Sequence, residues 1–220
     1  MSEHSKKSAI TIDRILSTAR DVFAEAGFAG ARVNEIARRA GVNKATLYYH
    51  IGDKKALYAE VIHGIIGGVA RDLENKIMHD LSPEDKIRTY VRTISGIMDR
   101  NPQMPRIMMR EIASGGKNLP DVFFKDFISV LTTLTRIIES GIKDGCFIDT
   151  IPLVVHFMTL GPNIIYKAVS PIILNNRNMP KKLKNMEHDI SGSVADEIEK
   201  LILRAIRKER PAEQKKGGRK

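Results

Sequence analysis

Between Lys44 and His50 the chain sets a lysine ammonium, the Thr46 hydroxyl, the phenols of Tyr48 and Tyr49 and the His50 imidazole within about two turns of a helix. An ammonium reaches a phosphate or a guanine edge, a phenol or imidazole donates to phosphate, and an aromatic face packs on a thymine methyl. Together these residue types suit the major groove of DNA. The competing reading is an ordinary helical hairpin with an exposed polar face. No paired carboxylates, Cys/His/Asp set or glycine-rich phosphate loop occurs at a spacing usable for catalysis, so an enzyme is not expected.

The neighbouring residues are those needed to hold such a helix. Ile36, Ala37, Val42 and Leu47 are apolar contacts that let two short helices cross closely. Gly41 falls where the first of them must stop and the chain turn, a position favouring positive φ. Asn43 is placed to cap the second. The pattern predicts a helix-turn-helix whose second helix enters the groove. Upstream, Ile12, Ile15, Leu16, Ala19, Phe23 and Ala26 form one stripe, predicting a helix from about Thr11 to Ala26 that Gly27 stops; Lys6 and Lys7 precede it as a basic arm. After Gly52-Asp53 a long helix opens at Lys54 and leads out of the DNA-binding unit.

Apolar residues recur at helical spacing through the remainder, and no strand-like alternation persists, so the expected class is all-α. Helices are expected from Pro83 to Arg100 behind the Ser82 cap, from Met104 to Ser114, from Asp121 to Lys143, from Pro152 to Ser170 with an interruption at Gly161-Pro162, and from Ser191 to Lys208. The chain divides into a head (1–53), a helical body (54–208) and a basic tail (209–220).

The 220 residues carry a formal charge of +10, which suits a polyanionic partner, although part of it sits in the tail. The single cysteine, Cys146, excludes an internal disulfide and favours a reducing compartment. The N-terminus lacks the apolar run of a secretion signal, and a cytoplasmic location is expected. The apolar stretch from Ile151 to Leu174 contains His156, Lys167 and several prolines, which argues against a membrane span.

The order of Glu35-Ile36-Ala37, Ala40-Gly41-Val42 and Thr46-Leu47-Tyr48-Tyr49-His50, followed by Lys54 and Leu57, resembles the TetR family of bacterial transcriptional regulators. The resemblance spans about Ile12 to Val61; beyond it lie similarities of length, helical content and the turn Asp144 to Asp149 before Pro152. It implies a homodimer with two heads on a palindromic operator, and a ligand pocket in each body. It also implies a dimer interface built from the last two long helices of each subunit. Carried onto this sequence, the DNA contacts would be Lys44, Thr46, Tyr48, Tyr49 and His50, with Lys54 on phosphate. Where the family usually has Thr or Ser at the entry to the second helix, this chain has Ala31 and Arg32. Arg32 is a stronger phosphate ligand than a hydroxyl, and Asn34 lies beside it. One of the two tyrosines is alternatively a packing residue.

For the body, Met98, Met104, Met108 and Met109 cluster around one short helix, and methionine suits adaptable apolar sites. With Phe124, Phe127, Leu131 and Met158 they are candidates to line a cavity for a small hydrophobic effector; His156, Asn163 and Tyr166 would supply polar contacts. Arg110 and Glu111 read as an ion pair. The interface candidates are Leu153, Phe157 and Ile164 or Ile165 with Val194, Ile198, Leu201, Ile202 and Ala205. His63, His79 and His156 lack metal-ligand spacing, and neither metal nor cofactor is expected. The expected function is a ligand-responsive regulator, a repressor released when its effector swings the Lys54 helix. The alternative is an architectural, nonspecific DNA-binding protein driven by the arm and the tail.

Overall fold

The computed structural model describes residues 3–77, 80–180 and 194–209. Apolar stripes at helical spacing become helices that bury them: α1 (Glu3–Gly30), α2 (Val33–Arg39), α3 (Lys44–His50), α4 (Lys54–Lys76), α5 (Pro83–Arg100), α6 (Met104–Ala113), α7 (Asp121–Lys143), α8 (Pro152–Leu174) and α9 (Val194–Ile206). Among the described residues the only extended pairing is a bridge between Phe147 and Arg207.

Helix α1 begins well before Thr11. Burial starts only at Ile15, so the apolar stripe marks where the helix packs rather than where it starts, and Lys6 and Lys7 lie on its exposed first turns. Gly27, at φ 68°, breaks the regular helix where expected, and a last turn to Gly30 follows it. Ile15, Ala19, Val22 and Phe23 seat α1 on Ile36, Ala37 and Leu47 of the next two helices and on Leu57 and Tyr58 at the start of α4.

Asp53 caps α4 by accepting from the Ala56 amide at 2.8 Å. This helix then buries Val61, Ile62, Ile65, Val69 and Leu73 against α5 and α7, carrying the chain from head to body. Ser82 accepts from Asp85 N at 3.1 Å to open α5, with Pro83 on its first turn.

Helix α8 corrects the expected interruption: it runs through Gly161, Pro162 and Pro171 to Leu174. A proline inside a helix removes one donor, and the flanking turns are held by Asn163 Nδ2 on Thr159 O at 2.8 Å and Thr159 Oγ1 on Val155 O at 3.0 Å. By length and composition α8 could cross a membrane. It also carries a buried face of Val155, His156, Thr159, Asn163 and Ile164 and packs on α5, α6, α7 and α9.

Helix α9 is fastened at both ends. Buried Glu199 accepts from Arg92 Nε at 2.8 Å and from Arg88, both on α5. At the other end Arg207 meets Glu84 at 2.6 Å, and Ile148 N donates to Ile206 O at 2.8 Å. The buried Phe147 ring lies against Gly141 so closely that a Cβ there would stand 2.0 Å from Phe147 Cδ2. The expected start of α9 at Ser191 and the tail from Pro211 to Lys220 lie outside the described residues, as does His79.

Candidate nucleic-acid interface and ligand cavity

The turn of the head is built by backbone bonds that only a left-handed residue permits. Gly41 has φ 63°, its N–H donates to Arg38 O at 3.2 Å, and Val42 N donates to Ala37 O at 3.0 Å. This pairing satisfies the last carbonyls of α2 and reverses the chain. Asn43 Oδ1 then accepts from Thr46 N at 2.7 Å, capping α3. Leu47 is fully buried against α1 and α2, which turns the rest of α3 outward.

Tyr49 is 85% exposed and Tyr48 42%. The Lys44 ammonium sits 5.5 Å from the centre of the Tyr48 ring, so Tyr48 partly serves to position Lys44, whereas Tyr49 projects free of the fold and stands edge-on to His50. Arg32 occupies the N-cap position of α2 without a capping bond, and its side chain is exposed, as is that of Asn34. The uncapped amides of α2 and a free guanidinium thus share one end of the head, a geometry suited to phosphate.

Two features of the head escaped sequence reasoning. Glu35 accepts from Arg38 Nη2 at 2.8 Å and from Arg39 Nε at 2.7 Å, and Arg39 also reaches Glu25 on α1 at 2.8 Å. Hydrogen bonds from Arg38 and then Arg39 hold the Glu35 carboxyl down to about 2. The spacing of three and four residues would have revealed this network. Lys54, expected on phosphate, donates to Ala29 O at 3.1 Å and lies 4.8 Å from the Phe28 ring centre, tying the start of α4 to the end of α1. Burial lowers its pKa.

In the body, α4 to α8 surround a cavity of about 710 Å³. Its wall includes Met98, Met104, Met108, Met109, Phe124, Phe127 and His156, as expected. Leu131, Asn163 and Tyr166 are not in the wall. Asn163 is fully buried, donating to Thr159 O within α8. Phe157 and Ile164, read as interface residues, do line the cavity.

Among the described residues the wall is apolar apart from Glu111 and His156. Glu111 is not paired with Arg110. Its carboxylate accepts from Tyr58 Oη on α4 at 2.8 Å, with longer contacts to Ser114 and Asn118 at 3.4 Å. Burial first, then this hydrogen bond, raises the Tyr58 pKa. His156 Nδ1 meets the Tyr90 hydroxyl, while Nε2 has no partner. Burial pushes the imidazole down to about 4, so it is neutral at physiological pH.

Arg110, the neighbour of Glu111, reaches the opposite way. It donates to Ala24 O at 3.1 Å and Glu25 O at 2.6 Å, the carbonyls that α1 leaves open where it breaks at Gly27. Gln103 Nε2 to Asp21 at 2.6 Å and Arg20 to Asn101 at 3.2 Å complete the seam. Helix α6 therefore forms cavity wall on one side and holds the head's first helix on the other.

The interface candidates separate. Leu153, Phe157, Leu201 and Ala205 are exposed and Val194 is half-buried. Ile164, Ile198 and Ile202 belong to the protomer's own core, because the buried stripe of α9 packs on α5 and α8 and leaves only its flank outward. With Ile151, Val154 and Ile165 these exposed residues leave an apolar face along α8 and α9. Among the described residues no group of three or more His, Cys, Asp or Glu side chains gathers to hold a metal.

The model of the family described as "Bacterial regulatory proteins, tetR family" matches residues 15–61, the span from mid-α1 into α4. The chain is 30% identical to the HTH-type transcriptional regulator RutR of Escherichia coli O157:H7 over 157 residues, covering 71% of this chain and 74% of RutR. It is 31% identical to the HTH-type transcriptional repressor NicS of Pseudomonas putida over 144 residues, covering 64% of this chain and 68% of NicS. The fold is also that of the FadR transcriptional regulator of Bacillus subtilis, solved in complex with stearoyl-CoA, with a TM-score of 0.66 at 16% identity over 86% of this chain and 96% of that one. A helix-turn-helix with an outward polar recognition helix, an all-helical body and these relatives agree: the chain belongs to the TetR family of bacterial transcriptional regulators.

Proposed function

We propose that this regulator is a repressor that binds a palindromic operator as a homodimer and is released by a small hydrophobic effector held in the body cavity. One observation carries the reading: α6 walls the cavity with Met104, Met108 and Ile112 while Arg110 on the same helix grips the end of α1. A molecule that displaces α6 must move or release the head. Tyr58, bonded to Glu111, gives α4 a second link to the same wall. The effector has to bind the DNA-incompetent arrangement more tightly, since only differential affinity shifts an equilibrium.

Double-stranded DNA is met by Lys44, Thr46, Tyr48, Tyr49 and His50, with Arg32 and Asn34 at the start of α2. In this reading the DNA-binding unit ends near Asp53, where α4 begins. The exposed apolar face of α8 and α9 is covered by a second copy rather than by lipid, which sets the separation of the two heads. In this reading the protein works in the cytoplasm, where the DNA is.

The test is fluorescence anisotropy of an operator duplex bound by the full-length protein, titrated with aminoanthracene, a compact apolar probe. Occupancy is followed separately by the probe's own fluorescence. Release of DNA in step with occupancy is the expected result, and in Arg110→Met the probe should fill the cavity while releasing less DNA. Cavity filling that leaves operator affinity unchanged in the wild type would defeat the reading.

A further inference from the structure

The polar chemistry of the cavity is specific enough to define what its occupant must offer. Tyr90 is fully buried and is not part of the cavity wall. Among the described residues its hydroxyl has no acceptor other than His156 Nδ1. Its proton therefore goes to Nδ1, because a buried phenolic proton without an acceptor is disfavoured. A neutral imidazole that accepts at Nδ1 carries its own proton on Nε2. Nε2 is sealed from water and has no partner, yet the ring bearing it stands in the cavity wall beside Phe127 and Phe157. Phe157, in contact with the imidazole, is itself part of the cavity wall.

We propose, on the reading that this cavity is the effector site, that His156 Nε2–H is a hydrogen-bond donor awaiting the effector, and that the effector is a neutral apolar molecule bearing a carbonyl-type acceptor oxygen. Charge separates a ketone, ester or amide from a carboxylic acid. Among the described residues no lysine or arginine lines the cavity, and the one acid that does, Glu111, already takes its strongest hydrogen bond from Tyr58. A carboxylate entering this wall would lose its hydration without gaining a cation and would share the space with Glu111. A neutral carbonyl oxygen needs one donor, and Nε2–H supplies it. Tyr90 acts as a positioning residue, fixing the tautomer from outside the cavity.

The test measures displacement of aminoanthracene from the full-length protein by cyclododecanone, cyclododecane and dodecanoate. The ketone-to-hydrocarbon affinity ratio is compared between variants, which cancels the different water solubilities. The ratio should fall roughly tenfold in His156→Phe, stay near wild type in His156→Gln, whose amide restores a donor, and fall partway in Tyr90→Phe. Should His156→Phe not fold, the other two variants carry the comparison. An unchanged ratio in Tyr90→Phe and His156→Phe would overturn the donor assignment, and tighter binding of dodecanoate than of the ketone by wild type would overturn the neutral class. Failure of aminoanthracene itself to bind wild type would instead remove the cavity as an effector site.

Discussion

Gly141→Ala is a substitution that local propensity favours and the structure forbids. In the interior of a long helix such as α7, alanine is better than glycine by about 1 kcal/mol. The added Cβ, however, would lie 2.0 Å from Phe147 Cδ2 and 2.4 Å from Cε2. Ordinary carbon contacts need about 3.5 Å, so the ring must retreat by about 1.5 Å. Phe147 is only 2% exposed and adjoins the bond from Ile148 N to Ile206 O, so the retreat strains the seam between the α7–α8 turn and α9. Overpacking of this kind costs about 1–3 kcal/mol, and the 2.0 Å approach puts this case at the upper end, which leaves a net loss of up to about 2 kcal/mol after the propensity gain. Gly64→Ala, on α4 with no heavy atom within 4 Å, is the matched control and should gain up to about 1 kcal/mol. In urea unfolding followed by circular dichroism at one protein concentration, the two variants should differ by up to about 3 kcal/mol with opposite signs relative to wild type. Equal stabilities would refute the packing argument and the seam built on it.

Other perturbations address the cavity, the head and the interface. The folded-state pKa of His156 is depressed to about 4 from 6.5, so the unfolded chain binds the extra proton between those values. Its contribution to stability is present above pH 6.5 and is lost as pH falls toward 4, to a limit of roughly 3 kcal/mol, and denaturant titrations of His156→Gln should show a shallower acid slope. Tyr49→Ala should weaken operator binding roughly tenfold at unchanged melting temperature, because the ring is 85% exposed and holds nothing together; wild-type affinity in both Tyr49→Ala and Lys44→Ala would remove α3 as the reading helix. Leu201→Glu should yield folded monomers by sedimentation, since that side chain is exposed, whereas Ile202→Glu should unfold the protomer from within; a stable Leu201→Glu dimer would move the interface elsewhere.

The head was legible in its sequence because its signals are local. A glycine at the turn, an asparagine before a polar helix and a buried leucine one turn later fix the geometry with neighbours a few residues away, and Gly41, Asn43 and Leu47 all act as their types imply. Features that depend on partners far along the chain were not legible. Arg110 and Glu111 are adjacent and of opposite charge, yet successive helical residues diverge by about 100°, so one faces α1 and the other the cavity. Ile198, Ile202 and Ile164 illustrate the same limit: an apolar stripe states that a face is buried, not whether its own protomer or a second copy buries it. The cavity's lining on α7 ends at Val130, one residue short of Leu131, and the buried Asn163 amide bonds to Thr159 O within α8; tertiary packing, not composition, sets these limits. Pro162 was expected to break a helix that tertiary packing instead carries through.

The central claim is that α3 reads sequence and that a dimer presents two such helices to DNA. Selection from random duplex DNA by the full-length protein, sequenced at low and at high salt, tests it most directly. The expected result is an enriched palindrome whose half-sites lie about one helical turn or a multiple apart and which persists as salt rises. Binding without an enriched sequence, fading steeply with salt, would contradict it and mark an electrostatic, architectural mode of DNA binding.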